Sequence, residues 1–375
     1  MAETRRIVVL NAGTATLKVA QFAVGSRDVL EVYRAEHDWL EDDDGDELVA
    51  RALVARALER IEAPFQAFAH RVVHGGVAFT ESVRIDAHVE ATLERLLPLA
   101  PLHNARALRV IRAAHRLEPR LPAFAAFDTA FHFGRPPESL TYALPADVAT
   151  ALQLRRYGFH GIAHAGLAEE LAAAQDTSPH EVDAVTLHLG SGCSACAVEA
   201  GRSIETSMGY TPLEGLVMAT RCGSIDAAIV LQMARAGYTI DEIETQLNRR
   251  SGLLALSGSA DVREVLAAEA RGDEAAHLAL QVFVRRIVLT VGAYLTLLDG
   301  RGAVVFGGGI GTHSAPIRER IASGLSAWQV ELDDRLNSGN EVGRISRAGS
   351  RPVFVFRTNE ERMIARDAAR LLVAG

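Results

Sequence analysis

Runs of β-branched and leucine residues, each ending at a small polar turn, are the clearest pattern along the chain. The first run starts at Ile7 and ends in Asn11, and a second run, Leu17–Phe22, follows the turn AGTAT. β-branched residues favour strands, and glycine favours the tight turns between them. The pattern predicts two strands joined by a glycine turn that carries threonine hydroxyls.

The same design recurs near the middle of the chain. The segment VTLHLGSGCSACAV, residues 185–198, again runs from a strand through a small residue, a glycine and a hydroxyl into a second strand. Ser191 stands in this segment where Asn11 stands in the first. The repeat predicts two duplicated domains that face one another.

A third glycine-rich turn, FGGGIGTH, follows a predicted strand and precedes a predicted helix. Such a junction presents backbone N–H groups and the positive end of a helix to a phosphate group. The first of the three turns is not a Walker loop, because it lacks the GxxxxGK[ST] spacing. Three glycine turns, each after a strand, predict a protein that grips a phosphoryl chain.

Length and charge narrow the classes of function. The chain has 375 residues, 39 basic and 47 acidic, with a net charge of −8. This length predicts two domains, and scattered basic residues make nucleic acid and anionic membranes poor partners. The apolar run after MAETRR stops at Asn11, and no run approaches the ~18 apolar residues of a membrane span. A cytoplasmic protein is expected.

The three cysteines, Cys193, Cys196 and Cys222, favour a reducing compartment. Cys193 and Cys196 form a CxxC pair, which allows a zinc or redox interpretation. Positions three apart on a strand point to opposite faces, however, and the chain has no second CxxC. We therefore expect neither a metal nor a redox role for this pair.

Six further segments bring together arginine, histidine and acidic side chains. They are HRVVHGG (70–76), LAPLHN (99–104), FDTAFH (127–132), RRYGFHGIAH (155–164), ETSMGYTPLEGLVMATRCGSID (205–226) and RTNEE (357–361). In this order they resemble the acetate kinase family, within the sugar kinase, Hsp70 and actin superfamily. The resemblance runs from Ile7 to Arg366, and YGFHG, TRCGSID and TNEE are its most specific motifs.

The resemblance implies an α/β fold of two duplicated actin/hexokinase-like (ribonuclease H-like) domains with a nucleotide cleft between them. Residues 1–145 are expected to form the N-terminal lobe, completed by a C-terminal helix at 362–375. Residues 146–361 are expected to form the C-terminal, nucleotide-binding lobe. A homodimer is also implied.

The resemblance further implies an acetate kinase, which transfers the γ-phosphoryl group of ATP to acetate in line and reversibly, giving acetyl phosphate and ADP. Mg²⁺ is the implied cofactor, with Mn²⁺ as a substitute ion. A propionate or butyrate kinase stays open, because one methylene in an apolar pocket is worth only ~1–3 kcal/mol. Another donor, such as pyrophosphate, also stays open, because Ser191, Ala219, Thr312 and His313 depart from the family pattern. A non-catalytic nucleotide sensor is the alternative from a different class.

Roles follow from the resemblance residue by residue. Catalytic roles fall on Arg71, Asp128, His160 and Arg221. Acyl-substrate contacts fall on Arg71, Val73, Leu102, His103, Phe159 and Pro212. Nucleotide and phosphate contacts fall on Asn11, Thr14, Thr16, Lys18, His188, Gly190, Ser191, Gly192, Asp261, Arg263, Gly307, Gly308, Gly309, Ile310 and Gly311. The implied metal ligands are Asn11 and Glu360.

Physical chemistry supports the catalytic roles separately. A carboxyl group with a pKa near ~4 is already ionised at neutral pH, so the acceptor needs no general base. Two anions must meet, and the guanidinium groups of Arg71 and Arg221 suit that task. His160 can donate to an equatorial phosphoryl oxygen as charge shifts.

Structural interpretations of the same residues stay open. His160 and His164 have the spacing of a zinc pair on a helix, but Gly161 follows His160 and no third ligand is evident. His70, His74 and His103 also suit buried core histidines, and Lys18 suits a surface position. The four apolar substrate residues, Val73, Leu102, Phe159 and Pro212, also suit an ordinary core.

Overall fold

The computed structural model describes residues 4–13, 16–25, 28–39, 47–339 and 341–374. The chain forms two compact units. Unit 1 comprises Met1–Phe133, His160–Ile162 and Asn359–Gly375, and unit 2 comprises Gly134–Phe159 and Ala163–Thr358. The domain limits expected from the sequence stay a prediction.

Strands and helices alternate along most of the described chain. The strands are β1 (Arg5–Ala12), β2 (Thr16–Val24), β3 (Val29–Asp38), β4 (Ala67–Val72), β5 (Val83–Arg84), β6 (Ala123–Phe127), β7 (Ala184–Leu189), β8 (Cys193–Glu199), β9 (Arg202–Thr206), β10 (Ala303–Gly307), β11 (Gly343–Arg344) and β12 (Val353–Val355). The helices are α1 (Glu47–Leu58), α2 (Ala87–Arg95), α3 (Pro101–Leu117), α4 (Pro137–Leu140), α5 (Ala146–Ala151), α6 (Gly161–Gln175), α7 (Ala227–Arg235), α8 (Ile240–Arg249), α9 (Gly252–Ser257), α10 (Val262–Ala270), α11 (Glu274–Leu297), α12 (Gly308–His313), α13 (Ala315–Gly324), α14 (Asp334–Ser338) and α15 (Glu360–Ala374).

The two units contain sheets of the same topology. The strand order is β3-β2-β1-β4-β6-β5 in unit 1 and β9-β8-β7-β10-β12-β11 in unit 2. In each sheet the first three strands pair antiparallel, the third, fourth and fifth pair parallel, and the last pairs antiparallel. This match confirms the prediction of two duplicated α/β domains.

The first strand of unit 1 is apolar without alternation because helices cover both faces of its sheet. Ile7 and Val9 pack in one cluster with Ile364 of α15. Val8 and Leu10 pack in the other cluster, with side chains of α1 and α3. Central strands that are buried on both sides read as continuous apolar runs. The apolar run ends near the carboxyl end of β1, where the next residue is Asn11.

The long helix α11 is apolar because one side of it forms the core of unit 2. Its buried side chains include Leu280, Phe283, Ile287 and Val291, spaced by three or four residues. By length and composition α11 could also cross a membrane, but core helices pass the same test and this is weak evidence for a span.

The two cysteines of the CxxC pair are buried in β8. Burial raises the pKa of the Cys193 and Cys196 thiols to about 12. A thiol with such a raised pKa is a poor nucleophile and a poor metal ligand. The pair therefore has the properties of core residues.

We predict that Phe283→Ala destabilises the protein far more than Leu289→Ala on the same helix. Phe283 is fully buried, whereas Leu289 is 57% exposed. Truncating a buried phenylalanine costs about 3–5 kcal/mol, while a surface change typically costs less than about 0.5 kcal/mol. Calorimetric melting of both variants would check this, and equal losses of stability would contradict the assigned orientation of α11.

Candidate active site

Three polar residues follow or end neighbouring parallel strands of unit 1. Asn11 lies near the end of β1, Arg71 near the end of β4, and Asp128 directly after β6. In the sheet, Leu10 pairs with His70, and Val72 pairs with Phe127. Because the carboxyl ends of parallel strands lie at one edge, the three side chains are brought together there.

Arg71 and Asp128 form a bidentate ion pair. Arg71 Nε donates to Asp128 Oδ1 at 2.9 Å, and Arg71 Nη2 donates to Oδ2 at 2.6 Å. Asp128 is 1% exposed, and this burial raises the pKa of its carboxyl while Arg71 acts in the opposite direction. Both carboxylate oxygens are therefore engaged by Arg71.

The start of α15 adds two carboxylates to this edge. Glu360 Oε2 lies 3.7 Å from Arg71 Nε. Glu361 is 5% exposed, and its Oε1 accepts a hydrogen bond from Asn11 Nδ2 at 2.7 Å. Sequence reasoning selected Glu360 and missed Glu361. The motif TNEE contains two adjacent glutamates, so the sequence offered Glu361 as well. The hydrogen bond between Asn11 and Glu361 is what distinguishes it from Glu360.

His160 is held in an unusual backbone conformation beside Asp128. Its φ is 57°, in the left-handed region that non-glycine residues seldom adopt, and its backbone hydrogen bond to Asp128 lowers the pKa of that carboxyl in part. The Gly161 N–H donates to the Asp128 carbonyl oxygen at 2.8 Å, and a Cβ at Gly161 would lie 2.3 Å from that oxygen. The local geometry therefore explains why glycine must follow His160.

Three other histidines of the predicted segments, His70, His74 and His164, are buried. His164 is fully buried, and its ring nitrogens lie 2.8 Å from the hydroxyls of Thr186 and Ser194. Burial lowers the pKa of His70 to about 3 and that of His74 to about 4. Neither nitrogen of His164 is left for zinc, and in the described ranges no group of three or more His, Cys, Asp or Glu residues could hold a metal.

The predicted residues of the first turn differ in their surroundings. Lys18 pairs with Asn11 across the strands, so the two side chains share a face of the sheet, and Lys18 is solvent-exposed. Thr16 donates its hydroxyl to Glu36 at 2.7 Å. Thr14 lies outside the described residues.

In unit 2 two glycine turns lie side by side at the corresponding sheet edge. His188 of β7 pairs with Gly307 of β10, so the turn 190–192 adjoins the start of α12. Gly308 has a φ of 74°, and a Cβ there would lie 2.5 Å from the Leu189 carbonyl oxygen. Only glycine allows these two segments of the backbone to approach so closely without strain. Four predicted positions flank the same edge: Gly190, Gly192, Gly309 and Gly311. Ile310 lies among them within α12.

Arg221 is partly buried and has a different environment from Arg71. Its Nη1 donates to the Pro212 carbonyl oxygen at 3.3 Å and lies 3.8 Å from the Met218 sulfur. Burial lowers its pKa, and among the described residues no carboxylate forms a salt bridge with it. Such a guanidinium is ready to bind an anion.

The apolar residues and the histidine that are predicted to contact the acyl group differ in their burial. Val73 and Phe159 are buried, Pro212 and His103 are partly buried, and the Leu102 side chain lies outside the described part. A cavity of about 370 Å³ in unit 2, lined by side chains such as Leu140, Tyr142 and Leu154, contains none of them. Their grouping into one pocket stays a prediction.

Two further nucleotide positions pair with each other. Asp261 caps the N-terminus of α10. Its carboxylate accepts hydrogen bonds from the guanidinium and the backbone N–H of Arg263, which lower its pKa to about 2. Both side chains are at least partly exposed. Their contact with a nucleotide stays a prediction.

Comparison with known proteins gives a consistent result over nearly the whole chain. The sequence profile of the Acetokinase family matches residues 6–366. An acetate kinase from Pseudarthrobacter chlorophenolicus is 42% identical over 383 residues, covering 98% of this chain and 99% of the relative. The crystal structure of Porphyromonas gingivalis acetate kinase superposes with a TM-score of 0.88 at 30% identity, covering 98% of this chain and all of the other. A propionate kinase from Francisella tularensis superposes with a TM-score of 0.85 at 35% identity, covering 97% and 98%.

We predict that Gly308→Ala lowers the melting temperature, whereas Gly309→Ala leaves it nearly unchanged. Alanine in a left-handed conformation costs about 1–2 kcal/mol, before the clash with the Leu189 carbonyl is counted. A Cβ at Gly309 meets no heavy atom of the described residues within 4 Å. Calorimetry without nucleotide checks this, and a Gly308→Ala variant as stable as Gly309→Ala would contradict the described turn.

Proposed function

The chain belongs to the acetokinase family, and we propose that it reversibly transfers the γ-phosphoryl group of ATP to acetate, giving acetyl phosphate and ADP. The observation that carries this proposal is the sheet edge of unit 1. There Asn11, Arg71, Asp128 and Glu360 form one contact group, although they lie far apart in sequence. A protein that only binds nucleotide has little use for this machinery, which argues against a non-catalytic sensor.

A carboxylate acceptor suits this group because its most buried carboxylate is already engaged by an arginine. Asp128 is the obvious candidate base, but both of its oxygens accept hydrogen bonds from Arg71. Acetate is already ionised at neutral pH, since its pKa lies in the ordinary carboxyl range near ~4. The reaction therefore needs positioning and charge stabilisation rather than proton removal.

The proposed transfer is a single in-line displacement. An acetate oxygen forms the new bond to the γ-phosphorus while the bond to the bridging oxygen of ADP breaks, and no proton moves. Such transfers pass through a loose transition state with charge on the equatorial oxygens. Arg71 and Arg221 balance that charge, and the His160 side chain donates to one of these oxygens.

A divalent metal ion fits the donors at this edge. Kinases transfer a phosphoryl group from a nucleotide, whose phosphates carry negative charge that a metal ion can neutralise. The side-chain oxygens of Asn11 and Glu360 are the hard ligands that Mg²⁺ prefers. We assign Mg²⁺, with Mn²⁺ as a substitute that takes the same oxygen ligands. Mg²⁺ usually uses few protein ligands and completes its shell with substrate phosphates and water, and when bound it neutralises phosphate charge.

Nucleotide binding is assigned to the predicted glycine turns. The turns at 190–192 and 307–311 are the proposed phosphate contacts, supported by Thr14, Thr16, Lys18 and His188 from the predicted set. Among the departures from the family pattern, Thr312 donates its hydroxyl to the Phe356 carbonyl at 3.1 Å, so this hydroxyl has a structural contact. ATP is the proposed donor, and an assay with pyrophosphate in its place tests that choice.

A propionate kinase is the second candidate. The solved propionate kinase from Francisella tularensis matches this chain nearly as well as the acetate kinase from Porphyromonas gingivalis. Val73 and Phe159 are buried and suit the wall of a small apolar pocket. A homodimer is likewise proposed from the family resemblance, and sedimentation tests it. A cytoplasmic location is proposed because the three cysteines favour a reducing compartment.

The function is tested by measuring acyl phosphate formation with hydroxylamine trapping. We predict that kcat/KM falls from acetate to propionate to butyrate, because each added methylene must fit a pocket sized for one methyl group. Each step should cost about ten-fold or more, as expected from ~1–3 kcal/mol per methylene. A higher kcat/KM for propionate would replace acetate as the assigned acceptor, and no acyl phosphate from any acid or donor would refute a kinase.

We predict that Arg221→Ala lowers kcat by about 10³-fold, since it removes a preorganised charge that acts mainly in the transition state. Arg221→Lys keeps the charge but loses the planar fork, so an intermediate rate is expected. Arg301→Ala is the matched control, because Arg301 is an exposed arginine of unit 2 that pairs with Asp183 and Glu199.

The same trapping assay, run at saturating ATP and acetate, measures these rates. If Arg221→Ala kept more than a tenth of the wild-type kcat, the catalytic role of Arg221 would be wrong. A similar loss in the Arg301 variant would point to a general effect on folding.

A further inference from the structure

Arg34 connects the edge strand β3 to the start of α15. Its guanidinium donates to both carboxylate oxygens of Glu31, at 2.9 and 2.7 Å. It also donates to Glu361 Oε2 at 3.3 Å and to Asn359 Oδ1 at 3.4 Å. Neither the sequence motifs nor the proposed mechanism gives Arg34 a role.

A β-bulge places Arg34 and Glu31 on the same face of the sheet. Residues three apart on a regular strand point to opposite faces. In the pairing of β2 with β3, however, Gln21 pairs with Tyr33 while Phe22 pairs with Glu31, so Val32 is the extra residue. The shared face is the one that α15 covers, since Phe22 packs in a cluster with Ile364.

Glu361 is the buried member of this group. Its side chain is 7% exposed, whereas that of Arg34 is 40% exposed. One carboxylate oxygen contacts Arg34 and the other accepts from Asn11 Nδ2 at 2.7 Å. A buried carboxylate needs such partners, because losing one leaves an uncompensated charge.

The two neighbours of Asn11 fix the orientation of its amide. A carboxylate only accepts hydrogen bonds and a guanidinium only donates them. The NH₂ end of Asn11 must therefore face Glu361, and its Oδ1 faces Arg71, whose Nη1 lies 3.4 Å away. This orientation presents an amide oxygen, rather than an NH₂ group, at the edge where Arg71 and Asp128 meet.

We propose that Arg34 is a positioning residue, which holds the Glu361 carboxylate so that the Asn11 amide oxygen stays directed towards the metal and phosphates. This proposal rests on the proposed function and extends it from the contacting residues to one that acts through Glu361 and Asn11. Glu31 and Asn359 hold Arg34 in turn, and the Arg34 hydrogen bond lowers the pKa of Glu31. Partners that orient a metal ligand typically change metal affinity by about 10–100-fold when mutated.

The test compares Arg34→Ala with Arg112→Ala. Arg112 is a matched control in the same unit: it pairs with Glu90 and Glu94, and its side chain is 34% exposed. These two partners lie on α2, away from the group around Asn11. For each variant, Mn²⁺ binding in the presence of ADP is measured by electron paramagnetic resonance, and the Mg²⁺ dependence of the rate is measured separately. The melting temperature of each apo variant reports folding.

We expect Arg34→Ala to weaken Mn²⁺ binding by about ten-fold or more and to raise the half-saturating Mg²⁺ concentration by a similar factor. Arg34→Lys should recover part of the loss, and Arg112→Ala should match the wild type. In a Glu361→Gln background, Arg34→Ala should cause little further change, because the residue through which it acts has lost its charge. This double variant also separates positioning from folding.

Suppose that the wild-type protein makes acetyl phosphate. Equal metal dependence of the Arg34→Ala and Arg112→Ala variants would then overturn the positioning role alone. A loss of melting temperature in Arg34→Ala with unchanged Mn²⁺ binding would do the same, since it would show a structural role only. A wild-type protein that makes no acyl phosphate would refute the proposed function. If it also failed to bind Mn²⁺ with ADP, both proposals would be wrong.

Discussion

A buried charge must meet an opposite charge or a hydrogen-bonding partner, and the sheet edge of unit 1 depends on this constraint. Asp128 is almost inaccessible and would be costly to ionise alone, so Arg71 must stay beside it. Arg71 in turn contacts Asn11, Asn11 contacts Glu361, and Glu361 contacts Arg34. Asn11 is the member whose donor and acceptor ends could be exchanged, and its contacts with Glu361 and Arg71 fix their orientation. Preorganised polar groups of this kind stabilise a transition state without reorganising.

The features that the sequence predicts well are local ones. Apolar runs and glycine turns mark the strands on either side of the first two glycine turns, and the repeat between residues 7–22 and 185–198 correctly indicates a duplicated fold. Arg34 and Glu361 were not predictable in this way. Their contact joins residues 327 positions apart, and it needs a bulge at Val32 that no residue pattern announces. Sequence periodicity gives the face of a regular strand, and a bulge changes that face.

The pair of histidines in RRYGFHGIAH shows a second limit of spacing arguments. His160 and His164 are four residues apart, which would place them on one face of a helix. The helix α6, however, begins at Gly161, and His160 precedes it with a left-handed backbone. His164 lies inside the helix and is held by two hydroxyls. A spacing rule holds only within one element, and the element boundary here depends on the close approach of Gly161 to the Asp128 carbonyl.

The two arginines assigned to catalysis differ in a way that their common residue type conceals. Arg71 already has Asp128 as a bidentate partner and Glu360 nearby, so an incoming anion adds to a site where negative charge is present. Arg221 has a carbonyl oxygen and a sulfur as neighbours, and burial lowers its pKa. An anion that binds Arg221 therefore relieves a desolvated charge, whereas an anion that binds Arg71 must share it with Asp128. Guanidinium groups keep their proton even when buried, so Arg221 stays charged although burial lowers its pKa. Of the two residues proposed to balance phosphoryl charge, Arg71 therefore has a second, structural contact with Asp128, whereas Arg221 has no carboxylate partner among the described residues.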